Sequence, residues 1–388
     1  MKHILNFPEK FLWGASTASF QVEGGIENCD WAEAAREGRV PVCGAACDHY
    51  NRYESDFDIA QKLGHNCHKI SIEWARIEPE EGKFDMEAVT HYKNVLNALR
   101  ARGLEPFVNI WHFTLPLWFS HDGGFLNKKS AARFGRYSEF VAKEILNDVK
   151  YVVPINEPEV WVTNGYLRGN WPPFKKNPWK LLIALRNLIK AHKASYYAVK
   201  KYHPDALVGP SKDNIYFKAT NVNPINQLLA AFMGWWWNRY FLNQTKKETD
   251  FIGLNYYFYS PFGPKEELPK TDMGWGIYPE GIYHVLLELG RYHKPVYIME
   301  NGLADATDSK RKDFILDHLF QVYRAIQDNV DVKGYLHWSL LDNYEWVFGF
   351  ERRFGLVEID FVTQERKIRP SAFVYKHVCE TNTIEKEL

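Results

Sequence analysis

Eight short runs of β-branched and aromatic residues recur along the chain, at residues 11–18, 67–72, 105–110, 151–155, 206–209, 251–255, 296–299 and 334–338. After a loop, each is followed by a longer segment of helical period. This alternation constrains the fold more than any other feature, because strands separated by helical crossovers build a parallel sheet covered by helices. In one helical segment Val89, Tyr92, Val95, Leu96 and Leu99 return at three- and four-residue spacing, and Gly103 is placed to end it in a left-handed cap. Phe134, Tyr137, Val141 and Ile145 form a second such stripe. Eight parallel strands close most economically into an α/β barrel of the TIM type, (β/α)8, with a long open sheet as the alternative that counting leaves. No repeat, low-complexity tract or Pro/Ser-rich linker divides the sequence. One catalytic barrel domain over residues 1–388 is therefore expected, a length such barrels routinely reach as one unit.

Charge removes several function classes. The 48 Lys and Arg are balanced by 48 Asp and Glu, with no basic run, so nothing supplies the cation surplus a nucleic acid or an anionic membrane surface would demand. Neither a G-x-G-x-x-G nor a Walker pattern appears, and His65/His68 and His318 do not give an H-x-H after a strand. No cofactor and no metal are expected. The five cysteines, at 29, 43, 47, 67 and 379, are too few and too scattered for a disulfide scaffold, and a zinc site around Cys43 and Cys47 is poorly spaced. The first nine residues lack an apolar run of signal-peptide length, so a cytoplasmic enzyme is expected. The aromatic share of 16% exceeds what a core alone requires and hints at a stacking site.

A barrel makes a testable demand: catalytic groups should sit just past the C-terminal ends of its strands. The polar residues fall there. The first strand runs into Gln21-Val22-Glu23, the second into Glu73-Trp74-Ala75-Arg76, the third into Trp111-His112 and the fourth into Asn156-Glu157-Pro158. The sixth ends in Asn255-Tyr256-Tyr257, the seventh in Glu300-Asn301-Gly302, and the eighth in Trp338 followed by Asn343-Tyr344-Glu345-Trp346. A single Glu after a strand is ordinarily a helix N-terminal charge or a solvated loop residue. Seven strand ends converging on one mouth describe a site. Amides, carboxylates and His suit neutral hydroxyls, and Trp offers a flat face to a pyranose, so the natural ligand is a sugar. Glu157 and Glu300 stand on well-separated strands and can face each other across the mouth. Glycoside hydrolysis needs such a pair, one carboxyl protonated toward the leaving oxygen and the other ionised toward the anomeric carbon.

These motifs, read in order, resemble glycoside hydrolase family 1, the β-glucosidase and β-galactosidase family, essentially end to end. The matching stretches are F-L-W-G-A-S-T-A-S-F-Q-V-E-G, S-I-E-W-A-R-I-E-P, W-H-F-T-L-P, I-N-E-P, D-F-I-G-L-N-Y-Y, I-M-E-N-G and H-W-S-L-L-D-N-Y-E-W. The resemblance implies a retaining, exo-acting β-glycosidase with Glu157 as acid/base and Glu300 as nucleophile. Arg76 and the Tyr256 hydroxyl are expected to hold Glu300 ionised, and the charge on Glu300 to raise the pKa of Glu157. By the same resemblance the sugar is held by Gln21, His112, Asn156, Glu345 and Trp346, with Trp338 as its platform and Asn156 on the 2-hydroxyl. A carboxylate at Glu345 is expected to repel a phosphate, which favours unphosphorylated β-glycosides or oligosaccharides. Which glycone is taken stays open.

Two departures from the family pattern stand out. Phe113 replaces the more usual Trp of the third-strand motif, removing an indole donor. The chain also passes from Phe241-Leu242-Asn243 to Asp250 and the sixth strand almost at once, where relatives insert a longer segment, which implies a trimmed barrel. Trp235-Trp236-Trp237 lie just before that gap, on a stretch too short to span a membrane and without a basic face, so packing or a homo-oligomer contact is expected. Transglycosylation through the same covalent intermediate is the main alternative activity, ahead of an inactive sugar-binding barrel.

Overall fold

The computed structural model describes residues 2–387 and closes the eight runs into a barrel. The strands are β1 (Leu12–Ser16), β2 (Cys67–Ser71), β3 (Glu105–Asn109), β4 (Tyr151–Val153), β5 (Leu207–Val208 and Ser211–Asp213), β6 (Ile252–Tyr256), β7 (Val296–Asn301) and β8 (Val332–Trp338). Every neighbouring pair is parallel, and β8 returns to β1 with Gly334 opposite Leu12. Closure on the other side runs through β5, whose first half pairs with β4 and whose second half pairs with β6. The break falls at Gly209-Pro210. A Cβ at Gly209 would lie 2.0 Å from the carbonyl oxygen of Phe251, and Pro210 brings no N–H to a ladder.

One principal helix follows each strand: α1 (His49–Lys62), α2 (Met86–Ala101), α3 (Ser130–Glu144), α4 (Pro178–Tyr202), α5 (Pro224–Met233), α6 (Glu280–Gly290), α7 (Arg311–Gln327) and α8 (Pro370–Thr381). Helix α2 shows how the sequence dictates them. Asp85 caps it by accepting from the N–H groups of Glu87 and Ala88, the expected stripe from Val89 to Leu99 is buried against the barrel, and Gly103 has φ +70° just past its end. Each fully buried Leu or Val contributes roughly 1.5–3 kcal/mol. Among the described residues no helix is long and apolar enough to cross a membrane.

Strand alternation divides the interior from the helical shell. Cys67, Phe107, Tyr151, Val153, Tyr297, Met299 and Leu336 point inward and fill the barrel, with the rings of Phe107 and Tyr151 stacked at 4.3 Å. Their neighbours Ile70, Val108, Val152, Ile252, Leu254 and Ile298 pack outward under the helices. The barrel is therefore plugged below this layer, and the C-terminal ends of its strands open to a cavity of about 550 Å³. Two π-helical stretches, Asn164–Arg168 and Gly234–Arg239, lie on its rim and supply Asn164, Arg168 and Trp237 to the lining. Of the three consecutive tryptophans, Trp237 is buried at this wall, Trp236 is half-buried, and Trp235 is exposed.

Candidate active site

Alternation continues past the apolar plug, so the next inward positions carry polar side chains. On β2, Lys69 has the parity of Cys67 and is completely buried beneath the cavity. Its Nζ donates to Glu300 Oε1 at 2.6 Å and to Asn156 Oδ1 at 2.9 Å, with Ser211 Oγ at 3.4 Å. On β7, Met299 points inward, and Glu300 would point away but for a register shift. The shift sets Ile298 opposite Leu254 and Glu300 opposite Asn255, which turns the Glu300 carboxyl into the cavity. The Tyr257 hydroxyl, two residues beyond inward-facing Asn255, donates to Glu300 Oε2 at 2.6 Å. Both oxygens of Glu300 are thus engaged, one by a cation and one by a phenol.

Glu157 stands at the end of β4 with φ +42°, at the N-terminus of a short helix that opens with Pro158. Holding a non-glycine residue there costs about 1–3 kcal/mol and is typical of functional positions. Its N–H donates to the Ser211 carbonyl at 2.8 Å, and Asn255 Nδ2 donates to its Oε1 at 2.6 Å. Burial pushes the Glu157 carboxyl well above the usual range. The charges of Glu300 and Asp213 push it further, against the Asn255 bond and the charge of Lys69. Asn255, Asn156 and Lys69 link the two carboxyls through one buried network.

Of the remaining expected ligands, Gln21, His112, Trp338, Glu345 and Trp346 line the same space, while Asn156 is fully buried and is not part of its lining. Gln21 donates to Asn343 Oδ1 at 3.1 Å and the Tyr344 carbonyl at 2.9 Å, leaving Oε1 buried without a partner among the described residues. Asn156 receives Lys69 on Oδ1, which leaves its Nδ2 as an unused donor just below the cavity. Asn109 accepts from the N–H of Trp111 through Oδ1, so its Nδ2 donates to His112 Nδ1 at 3.1 Å, and the neutral ring carries its proton on Nε2. Burial, then the charge of Lys69, lowers the His112 pKa and keeps it neutral. The His112 ring runs nearly parallel to those of Trp338 and Trp346, at 10° to each and with centroids 6.2 and 6.1 Å away. Glu345 has an unpartnered buried Oε2, and burial, aided by Glu300, pushes its carboxyl to about 8. Phe113 lines the cavity with φ +75°, packed near Trp171 and Trp346, and brings no donor.

Two expectations are corrected. Arg76 does not reach Glu300: it pairs with Glu23 at 2.9 Å, donates to the Gly24 carbonyl, and stacks over Tyr50. It sits on a helical turn beyond β2, whereas the cation that meets Glu300 comes from within that strand. Tyr256 has outward parity, donates its hydroxyl to the Tyr278 carbonyl at 2.8 Å, and packs so closely on α6 that a Cβ at Gly281 would lie 1.8 Å from its oxygen. Tyr257 takes the place expected of it. Period-two alternation was the signal that could have found both Lys69 and Tyr257.

A (β/α)8 barrel that holds two buried carboxyls at the C-terminal mouth of its strands, one clasped by a cation and the other driven toward its neutral form, has the equipment of a glycoside hydrolase. Comparison with known proteins narrows the class. The profile of glycosyl hydrolase family 1 matches residues 3–247 and 243–384, and the chain belongs to that family. The chain is 35% identical to the 1,4-β-D-glucan glucohydrolase of Thermotoga neapolitana, covering 97% of this chain and 98% of that one. That alignment spans 438 residues against 388 here, so the relative carries segments this chain lacks, and the family match falls in two parts that meet at 243–247. Among solved structures, a β-glycosidase from Pyrococcus horikoshii superposes with a TM-score of 0.94 at 38% identity, covering 99% of this chain and 97% of that one. The β-glucosidase of Thermotoga maritima in complex with glucoimidazole gives 0.92 at 32% identity, covering 97% and 99%.

Proposed function

We propose that this retaining β-glycosidase uses Glu300 as its nucleophile and Glu157 as its acid/base, and that it removes unphosphorylated sugars from the ends of β-glycosides. The observation that carries the assignment is the asymmetry between the carboxyls. Lys69 and Tyr257 clasp both oxygens of Glu300, while burial and the Glu300 charge favour the protonated form of Glu157.

In the first step Glu300 attacks the anomeric carbon as the bond to the leaving oxygen breaks, and Glu157 gives that oxygen its proton. Esterification then cancels the negative charge on Glu300. With that charge gone the pKa of Glu157 falls, so its carboxylate can take a proton from water, which attacks the anomeric carbon and releases Glu300. Asn156 presents Nδ2 to the 2-hydroxyl, a contact that strengthens as positive charge develops on the ring and so contributes to rate more than to binding. Gln21, His112 and Glu345 take other hydroxyls, with Trp338 and Trp346 beside the ring. The apolar plug closes the sugar's far side, which suits action at a chain end.

Discrimination against phosphate has a different basis from the one expected. With its carboxyl near 8, Glu345 is largely neutral at pH 7 in the free site, so its own charge is a weak barrier. With Glu157 also favoured in its protonated form, what remains is the repulsion a phosphate would meet beside the nucleophile Glu300, with Arg168 the one Lys or Arg among the described lining residues.

A panel of aryl β-glycosides tests the roles. E300A should lose activity on every substrate. E157A should lose about 10²–10⁴-fold where the leaving group needs a proton, retain most cleavage of activated aryl glycosides, and be rescued in its second step by azide. Unchanged activity in E300A, or equal losses across leaving groups in E157A without rescue, would contradict the assignment.

A further inference from the structure

A third inward-facing strand carboxyl, Asp213, shares the cavity with Glu157 and Glu300 and takes no part in the double displacement. Residues 211–213 form the second half of β5, where Ser211 and Asp213 face inward and Lys212 faces out to an ion pair with Glu159. The neighbouring cation is therefore already engaged, and its Nζ also donates to the Trp237 carbonyl at 2.9 Å. Asp213 is 6% exposed and lines the cavity, with an Oδ1 that has no partner among the described residues. Trp237 Nε1 donates to its backbone carbonyl at 3.0 Å and ties the segment to the neighbouring wall. A buried carboxyl oxygen left without a donor is costly, and proteins rarely keep one without a use for it. Burial carries the Asp213 carboxyl to about 7, with Lys212 opposing, Glu159 and Glu300 adding to the rise and the nearby Trp237 N–H opposing it more weakly, so near neutral pH the free Oδ1 can either donate or accept.

Its height in the barrel indicates the use. The Ser211 carbonyl anchors the backbone N–H of Glu157. Asp213 lies two residues further along the strand, about 6–7 Å nearer the mouth. Glu157 delivers its proton to the leaving oxygen, so the next level outward is where the departing group sits. The rest of that wall, Ile215, Phe217, Met233 and Trp237, is dominated by apolar surface, and Asp213 is its one carboxyl. We propose that Asp213 is a specificity-determining residue of the leaving-group subsite, where it hydrogen-bonds a hydroxyl of a sugar aglycone while the apolar wall takes the ring face. The proposal rests on Glu157 being the acid/base, and it implies that oligosaccharides are preferred over simple alkyl glycosides beyond any difference in chemical reactivity. The same contact would seat a sugar acceptor during the second step.

Two ratios test this in wild type, D213N and D213A, and neither depends on the fraction of folded enzyme. The first is kcat/KM for cellobiose over that for n-propyl β-glucoside, whose leaving alcohol also needs a proton but has no further hydroxyl. It should fall about 10- to 100-fold in D213A, the range for one hydrogen bond to a carboxyl group, and less in D213N. The second is transfer to added glucose over hydrolysis, from the glycosyl-enzyme formed with an aryl β-glucoside, and it should fall in the same order. Both ratios within twofold of wild type would overturn the proposal. So would a D213A variant whose activity is restored by azide in the pattern predicted for E157A, because Asp213 would then be the acid/base and the assignment of Glu157, rather than the subsite, would have failed.

Discussion

Lys69 carries more of the active site than its place in a strand suggests. Its ammonium is fully buried against Glu300 and also fixes the amide of Asn156, so one side chain orients both the nucleophile and the donor offered to the 2-hydroxyl. Removing one partner of a buried ion pair leaves the other charge uncompensated, at a cost of about 3–5 kcal/mol. K69M should therefore lose about 10²–10³-fold or more in kcat/KM on aryl β-glycosides, with part of the loss absent on 2-deoxy substrates that cannot use Asn156. Glu345 has the opposite character. Its carboxyl stays protonated in the native state up to about pH 8, whereas the unfolded chain ionises it near 4.5. Between those values unfolding releases a proton, so this residue makes the protein less stable as pH rises. The melting temperature of E345Q should exceed that of wild type at pH 8, and the gap should close by pH 4. A gap that stayed constant with pH would contradict this account.

Within the elements, much of what was legible came from period. The eight strand runs correspond to the eight barrel strands, and the stripes of α2 and α3 are buried as read. What escaped needed a finer use of alternation or a local irregularity. Lys69 passes for an ordinary charged residue until its parity with Cys67 places it inside. Tyr256 and Tyr257 are indistinguishable by type, and only the inward parity of Asn255 selects the second. The register shift that turns Glu300 inward has no sequence signature, and the run at 206–209 caught only the first half of β5 because Gly209-Pro210 interrupts it. The paired tyrosines offer a clean test. Y257F should reduce kcat/KM by about 10-fold or more through loss of a donor to Glu300, while Y256F should cost about 1 kcal/mol of stability and leave kcat/KM nearly unchanged. The reverse pattern would show that the strand faces are misassigned.

For the molecule as a whole, the zero net charge argues against polyanionic partners but conceals an uneven distribution. Acidic side chains gather at the open end of the barrel, where Glu157 and Glu345 are held toward their neutral forms and Glu300 carries the charge, and Arg168 is the one Lys or Arg among the described lining residues. A substrate bearing a 6-phosphate should thus be cleaved at least about 100-fold less efficiently than its neutral counterpart, the discrimination easing as salt rises. The aromatic excess divides along the same architecture: Trp338 and Trp346 stand at the sugar site, Phe107, Tyr151 and Tyr297 plug the barrel, and Trp237 backs the wall that holds Asp213. The barrel and its two central acids could be read from the order of the motifs. The network joining those acids could not, because it depends on side chains brought together from β2, β4, β5 and β6.

The central claim is that Glu300 becomes covalently bonded to the sugar while Glu157 moves the proton. The most direct measurement is mass spectrometry of the protein after incubation with a 2-deoxy-2-fluoro β-glucoside carrying a good leaving group, which slows both steps but the second more. The account predicts one added fluoroglycosyl group per chain, located by peptide mapping on Glu300, with activity returning as the label is released to water or a sugar acceptor. A label on another residue, or full turnover of normal substrates with no covalent species accumulating on Glu300, would contradict it.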